Sequence, residues 1–179
     1  FSLSLSSVQS DIDNLDKNNR NLWIQKEAQP GYVNASTGDI LGAGLVNKEL
    51  VSDYVEIDTN KRIWIYYEVD INSGKYGWYG VGFYNSDKIF ISRPGWSGAT
   101  ATEPIKSLTK REIVKPQNSR YMRISFRSYG NARVKVEQGA EQTYYQPAPE
   151  DMATVTSLTE IKATVDSLTM TVADKANKT

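Results

Sequence analysis

Two short stretches hold the side chains with the most capacity for chemistry. Asn72-Ser73-Gly74-Lys75-Tyr76-Gly77-Trp78-Tyr79 carries three rings on a glycine-rich loop, and Ser92-Arg93-Pro94-Gly95-Trp96-Ser97-Gly98 places an arginine and a tryptophan on another. A tryptophan in a Gly/Ser loop has little to bury against unless it caps a core or meets a ligand. Aromatic faces stack on the C–H faces of sugar rings, and planar polar groups such as guanidinium, carboxylate and amide pair with hydroxyls. Tyr76, Trp78, Tyr84, Arg93, Trp96 and Arg127 form the candidate carbohydrate-binding set.

Other chemistries are narrowed by what the chain lacks. Its 179 residues contain neither histidine nor cysteine. Ser-His-Asp and Cys-His catalysis, disulfides and Cys- or His-ligated metals are thereby excluded within these residues. An acid pair such as Glu68 with Asp70 or Asp53 is the remaining route to glycan cleavage. Paired carboxylates are common on any strand surface, so the expectation is a non-enzyme with no catalytic residue. Asp53, Glu56, Asp58, Glu68 and Asp70 form no recognised loop of calcium ligands, and no cofactor or metal is expected. Gly77-Trp78-Tyr79-Gly80-Val81-Gly82 superficially suggests a phosphate loop, but strand residues rather than a helix follow it.

Lysine plus arginine number 21 and aspartate plus glutamate 21, giving a formal net charge of zero. A neutral chain offers little long-range attraction for nucleic acid or anionic lipid. No run approaches the roughly 20 apolar residues of a membrane span. Neither nucleic acid nor membrane is an expected partner. Eleven tyrosines against four phenylalanines suit either recognition surfaces with one wet ring edge or strands that use Tyr for its β propensity. The chain starts at Phe1 and both ends stop inside patterned sequence, which suggests a piece of a longer polypeptide.

The elements that must position these side chains follow from periodicity. Phe1, Leu5, Val8, Ile12 and Leu15 step by four and three, as do Leu158, Ile161, Val165, Leu168 and Val172. These are heptad seams, and Ile and Val at both core position types lean toward three strands. The alternative is a pair of amphipathic helices packed on their own domain. Between the seams, strands are expected over Asp53–Asp58, Arg62–Asp70, Trp78–Asn85, Lys88–Ser92, Tyr121–Arg127 and Ala132–Glu137, separated by Gly/Asn/Pro turns. The expected organisation is a coiled-coil segment over 1–20, a β-sandwich over 21–149 and a second coiled coil over 150–179. Its class is all-β, a jelly-roll-like β-sandwich flanked by short trimeric coiled-coil helices.

Alternation sorts the strand faces. Ile63, Ile65, Tyr67 and Val69 go in, against Trp64, Tyr66, Glu68 and Asp70. Tyr79, Val81 and Phe83 go in, leaving Trp78, Gly80, Gly82 and Tyr84 out, with the glycines as a trough between the two rings. Met122, Ile124 and Phe126 go in, with Arg123, Ser125 and Arg127 out. Val134 and Val136 go in, with Arg133, Lys135 and Glu137 out. At least one of Trp78 and Trp96 is expected to be solvent-exposed beside Tyr76, Arg93 or Arg127.

The central segment also follows a familiar order. Asn21-Leu22 and Gly31-Tyr32-Val33-Asn34 precede Ser52-Asp53-Tyr54-Val55, then Gly80-Val81-Gly82-Phe83-Tyr84-Asn85 and Phe90-Ile91-Ser92-Arg93. Tyr121-Met122-Arg123-Ile124-Ser125-Phe126-Arg127 and Tyr145-Gln146-Pro147-Ala148-Pro149-Glu150-Asp151 complete it. This succession resembles carbohydrate-binding modules in tail-tip and baseplate proteins of phages of streptococci, lactococci and lactobacilli. Tyr145 stands where that family often has Trp. The resemblance implies a β-sandwich in the virion tail that attaches to host cell-wall polysaccharide or another surface glycan. It implies homotrimers joined to other tail proteins through the rest of the polypeptide. It fixes no binding residues. A structural trimerising spacer and a glycan-cleaving enzyme are the alternatives.

Overall fold

The computed structural model describes residues 19–42, 44–98, 101–152 and 155–176. They divide into two compact units between Ala148 and Pro149. The first heptad seam, Phe1 to Leu15, lies outside the described residues.

The described residues of the first unit are all β apart from one 3-10 turn at Gln25–Glu27 and the connecting loops. Its strands are β1 (Gln29–Pro30), β2 (Tyr32–Val33), β3 (Ile40–Leu41), β4 (Glu49–Val51), β5 (Val55–Glu56) and β6 (Arg62–Ile71). They continue as β7 (Trp78–Tyr84), β8 (Phe90–Ser92), β9 (Gly95–Ser97), β10 (Ile105–Ile113), β11 (Tyr121–Arg127) and β12 (Ala132–Gly139). A seven-stranded sheet runs β1-β4-β11-β7-β8, with β5 also on β11 and β9 also on β7. A three-stranded sheet runs β10-β6-β12, and β2 pairs β3 in a small hairpin. All these pairings are antiparallel.

The two larger sheets share one core. Ile63, Ile65, Tyr67, Val69 and Ile71 of β6 cluster with Tyr79, Val81 and Phe83 of β7, Met122, Ile124 and Phe126 of β11, and Val134 and Val136 of β12. Apart from Ile71, which extends β6 one residue beyond the expected strand, these are the residues that alternation assigned inward. Burying each large apolar side chain contributes about 1.5–3 kcal/mol, so this layer supplies most of the drive to fold. Trp23 closes it edge-on against Phe126, with ring centroids 4.9 Å apart. The Tyr67 hydroxyl crosses the layer to donate to the Arg127 carbonyl at 2.6 Å, and burial pushes its pKa far up.

The outward assignments hold less well, because both outer faces are partly covered. On β7 every residue is buried. The β2–β3 hairpin lies over half of that face, with Val33, Val51 and Tyr84 forming a second apolar cluster. A β-carbon on Gly82 would stand 2.8 Å from Val33 Cγ1, so the trough expected at the glycines is filled. Ser125 is buried under the same cover, accepting from the Val33 amide at 3.4 Å, and Arg123 is buried against Ser52 and Tyr54. On β12, Lys135 and Glu137 are each 1% exposed and paired at 2.8 Å. Residues after β12 fold back over them: Thr143 donates to Glu137 through its amide at 2.8 Å and its hydroxyl at 2.6 Å, and Lys135 Nζ donates to the Tyr144 carbonyl at 3.0 Å.

Several strand expectations also need correction. The strand expected over Asp53–Asp58 is only Val55–Glu56, Gly95–Ser97, read as loop, is strand β9, and neither β1–β4 nor β10 was anticipated. The β10 sequence, Ile-Lys-Ser-Leu-Thr-Lys-Arg-Glu-Ile, carries charge on both sides because it is a sheet edge. Lys88 belongs to a turn, with φ 60°, and not to a strand.

Asn21 holds the start and finish of this unit together. Its Oδ1 accepts from the amides of Trp23 at 3.0 Å and Val136 at 3.1 Å. Its Nδ2 donates to the carbonyls of Val134 at 2.8 Å and Gln146 at 3.1 Å.

The second unit contains α1 (Pro149–Met152) and α2 (Val155–Ala176). Thr169 and Thr171 hydroxyls each donate back one turn, to Val165 and Ser167 carbonyls at 2.9 Å, which satisfies them within the helix. Val165, Leu168 and Val172 are 54%, 60% and 49% exposed on one face of α2. The side chains of Leu158 and Ile161 lie outside the described residues.

Candidate functional site

At one end of the larger sheet the register aligns side chains across four strands. Glu49 of β4 stands opposite Arg127 of β11, Arg127 opposite Trp78 of β7, and Trp78 opposite Ser97 of β9. Residues in register project to the same face, so a carboxylate, a guanidinium, an indole and a hydroxyl form one row. This row floors a cleft of about 480 Å³. Tyr32, Tyr76, Tyr79, Arg93, Gly95 and Trp96 complete its lining.

Glu49 is 1% exposed. It accepts from Arg127 Nε at 2.9 Å and from Arg127 Nη2, both on Oε1. Burial weighs against the Arg127 charge, but the bonded Glu49 carboxylate outweighs it, with help from the Tyr76 hydroxyl, and holds the guanidinium above its ordinary pKa. Arg127 also lies 5.0 Å from the Tyr76 ring centroid and 5.8 Å from that of Trp78. Tyr76 is the exposed ring at the rim, at 40%.

Arg93 also approaches Trp78, 5.3 Å from its ring centroid. A β-carbon on Gly80 would meet Arg93 Cδ at 2.8 Å, so the bare glycine lets the guanidinium lie across the strand. Arg93 Nε is buried without a hydrogen-bond partner. Burial draws its pKa below the ordinary value, with the nearby Tyr32 hydroxyl opposing that.

Trp96 serves both core and cleft. Its ring stacks on Tyr79 at 6.4 Å and 19°, and meets Tyr67 edge-on at 6.0 Å. Arg111 Nε donates to the Tyr79 hydroxyl at 2.5 Å, and its Nη2 donates to the Gly95 carbonyl at 2.6 Å. Burial pushes the Tyr79 pKa up, against the pull of Arg111. A β-carbon on Gly95 would lie 2.3 Å from the Tyr79 carbonyl oxygen, so only glycine lets β9 come this close to β7.

Of the sequence-derived set, Tyr76, Trp78, Arg93, Trp96 and Arg127 meet in this cleft. Trp78 is less open than expected, at 9% exposure, and Trp96 is half-buried. Tyr84 is not in the cleft. It is 2% exposed, packs edge-on to Tyr54 and Phe90, and donates to the Gly38 carbonyl at 2.7 Å. Alternation put it on the correct face, but the β2–β3 hairpin covers that end; burial pushes its pKa up to about 12. Tyr32, Glu49, Ser97 and the hydroxyl end of Tyr79 were missed. Tyr32, Glu49 and Ser97 come from strands of two or three residues, where periodicity carries no signal, and alternation assigned Tyr79 to the core, which hides that its hydroxyl end reaches the cleft.

The acid pair considered for cleavage lies elsewhere. Tyr66 donates to Glu68 at 2.7 Å, and Lys106 and Arg133 pair with it at 3.5 and 3.8 Å. The Tyr66 hydroxyl holds the Glu68 carboxyl below its ordinary range, aided by Lys106 and Arg133. Among the described residues no three acidic side chains gather as a metal site.

Comparison with known proteins gives one informative similarity. A tail fibre protein of Enterococcus phage phiEF24C is 27% identical over 147 residues. The alignment covers 81% of this chain but 7% of that protein. This chain is similar to a small part of a phage tail fibre protein. No family model matches it, and no solved structure does.

Proposed function

We propose that the chain is a receptor-binding module of a phage tail, which holds a glycan of the host surface in the Trp78–Arg127 cleft. The observation that carries this is the convergence of Tyr32, Tyr76, Trp78 and Trp96 rings with Arg93 and the Glu49–Arg127 pair around one opening. Rings offer stacking faces, and the polar groups offer fixed donors and acceptors for hydroxyls. The tail-fibre similarity supports a place in the virion tail, in company with other tail proteins.

The module is read as non-catalytic. Among the described residues Glu49 is the one carboxylate lining the cleft, and it is engaged by Arg127; glycoside hydrolysis by the usual route requires two. Glu68 is held at low pKa, the reverse of what a general acid requires.

A shallow sugar site binds weakly, because hydroxyl contacts largely exchange with water. We infer that repetition supplies the strength. The exposed Val165–Leu168–Val172 face of α2 suits a three-stranded coiled coil carrying three jelly-roll-like sandwiches. Joining three sites raises avidity by roughly 10²–10⁴ without new contacts. A spacer that binds nothing would use the same helix face.

The deciding experiment is retention of the purified chain on cell walls of enterococci and other Gram-positive bacteria. Retention by at least one wall, weakened by Tyr76→Ala with the fold intact, is the expected outcome. A correctly folded chain that no wall retains at high concentration leaves the spacer as its role.

A further inference from the structure

The cleft contains one charge that the contacts described above leave unanswered. Among the described residues its lining supplies two guanidinium groups, Arg93 and Arg127, and one carboxylate, Glu49. Glu49 is engaged by Arg127. Arg93 has no such partner. Among the described residues it makes no hydrogen bond or ion pair; its Nε is enclosed without an acceptor, and its guanidinium rests on the Trp78 ring. Arg111 adds a third positive group at the Trp96 side, with Nε and Nη2 spent on the neutral Tyr79 hydroxyl and Gly95 carbonyl.

A half-buried cation without a counter-ion carries a desolvation cost that an anion would offset. The group is also held in place. Gly80 admits it against the strand, and Trp78 supports it from below, so little is lost in ordering it. A guanidinium fork matches the oxygens of a carboxylate or phosphate far better than a single neutral hydroxyl.

Building on the glycan reading, we propose that the sugar unit taken by this cleft carries an anionic substituent, a phosphate or a carboxylate, that pairs with the free guanidinium nitrogens of Arg93. The ring of the same unit, or of its neighbour, then stacks on Tyr76, the exposed ring at the rim. The anion is recognised by one preplaced cation, while the Glu49–Arg127 pair remains available for hydroxyls.

The test compares matched sugars on the full chain. Indole N–H resonances of Trp78 and Trp96 are followed by NMR during titration with glucuronate, glucose 1-phosphate and methyl glucoside. The expected result is half-saturation by an acidic sugar at roughly tenfold or more lower concentration than by the neutral one. Arg93→Gln removes this preference, Arg93→Lys retains part of it, and added salt weakens it. Equal response to acidic and neutral sugars in the unaltered protein overturns the proposal. That comparison decides the matter even if Arg93→Gln does not fold.

Treated walls separate the two sources of charge. Hydrofluoric acid strips phosphodiester-linked polymers, and carbodiimide-assisted reduction converts uronic acids to neutral sugars. Loss of retention after carboxyl reduction assigns the carboxylate, and loss after hydrofluoric acid with retention kept after reduction assigns the phosphate. Full retention after both overturns the proposal. If untreated walls are not retained but the acidic sugars still discriminate, host adhesion fails as the function while the anion site stands.

Discussion

Arg127 faces Glu49 across one ladder and Trp78 across the next, so a single guanidinium links a buried carboxylate to the indole on the cleft floor. The pair is asymmetric: the Glu49 side chain is 1% exposed and that of Arg127 17%. Removing the guanidinium therefore leaves an enclosed negative charge, while removing the carboxylate leaves a cation that reaches water.

Arg127→Ala is accordingly expected to destabilise by about 3 kcal/mol or more, as breaking a buried pair does. Glu49→Gln, and the double variant Glu49→Gln/Arg127→Gln, should each cost less. Urea unfolding of the set measures the order. If Arg127→Ala is the mildest of the three, the enclosed-charge account fails.

Gly80 and Gly95 predict opposite kinds of failure. A β-carbon at Gly80 meets the movable Arg93 side chain, whereas one at Gly95 meets the Tyr79 backbone. Gly80→Ala should keep the fold and displace Arg93, reducing sugar binding several-fold. Gly95→Ala should pry β9 from β7 and cost about 1–3 kcal/mol in thermal unfolding, the scale of overpacking. Similar Tm values for both would contradict this division.

Tyr84 gives a pH signature. Its pKa is raised from 10.0 to about 12 by burial, so folding favours the neutral phenol. That contribution is present in full below pH 10 and is lost as pH rises through about 12. Ultraviolet titration should show a late-ionising tyrosine that Tyr84→Phe removes. The variant should also lose about 1 kcal/mol at neutral pH with the bond to Gly38, and its deficit should shrink in alkali.

Asn21→Ala deletes the contacts to Trp23, Val134, Val136 and Gln146 together. Buried backbone groups left without partners cost about 1–3 kcal/mol each, so a loss of at least 3 kcal/mol is expected. Hydrogen exchange should quicken at Trp23 and Val136 before it does in β6. Unchanged exchange at those amides would count against the role assigned to Asn21.

For α2, Leu168→Asp places a charge on the exposed Val165–Leu168–Val172 face. Sedimentation should then report monomer in place of trimer, with wall retention falling roughly 100-fold or more through lost avidity. A sedimentation coefficient that does not change shows that this face is not the seam.

The sequence was most readable where one strand has one wet face. β6 alternates residue by residue, and its inward set is the core as found. Legibility fell where a face acquires a distant cover, since nothing near Tyr84, Ser125 or Lys135 records that a hairpin or a returning tail will lie over it. Glu49 is the sharpest case. On three-residue β4 it has no periodicity to read, and its place beside Arg127 follows from pairing with a strand far along the chain. The loop rings were found by composition, because tryptophan among glycines has few alternatives to a cap or a contact.

Asn21 brings residues 21–23, β12 and Gln146 side by side. A folded body whose two ends are neighbours can be spliced out, or exchanged for another with a different sugar preference, through a short bridge and without shifting whatever lies before and after it. Under the proposed function, recombination at those two points changes the glycan recognised and leaves the neighbouring chain as it was.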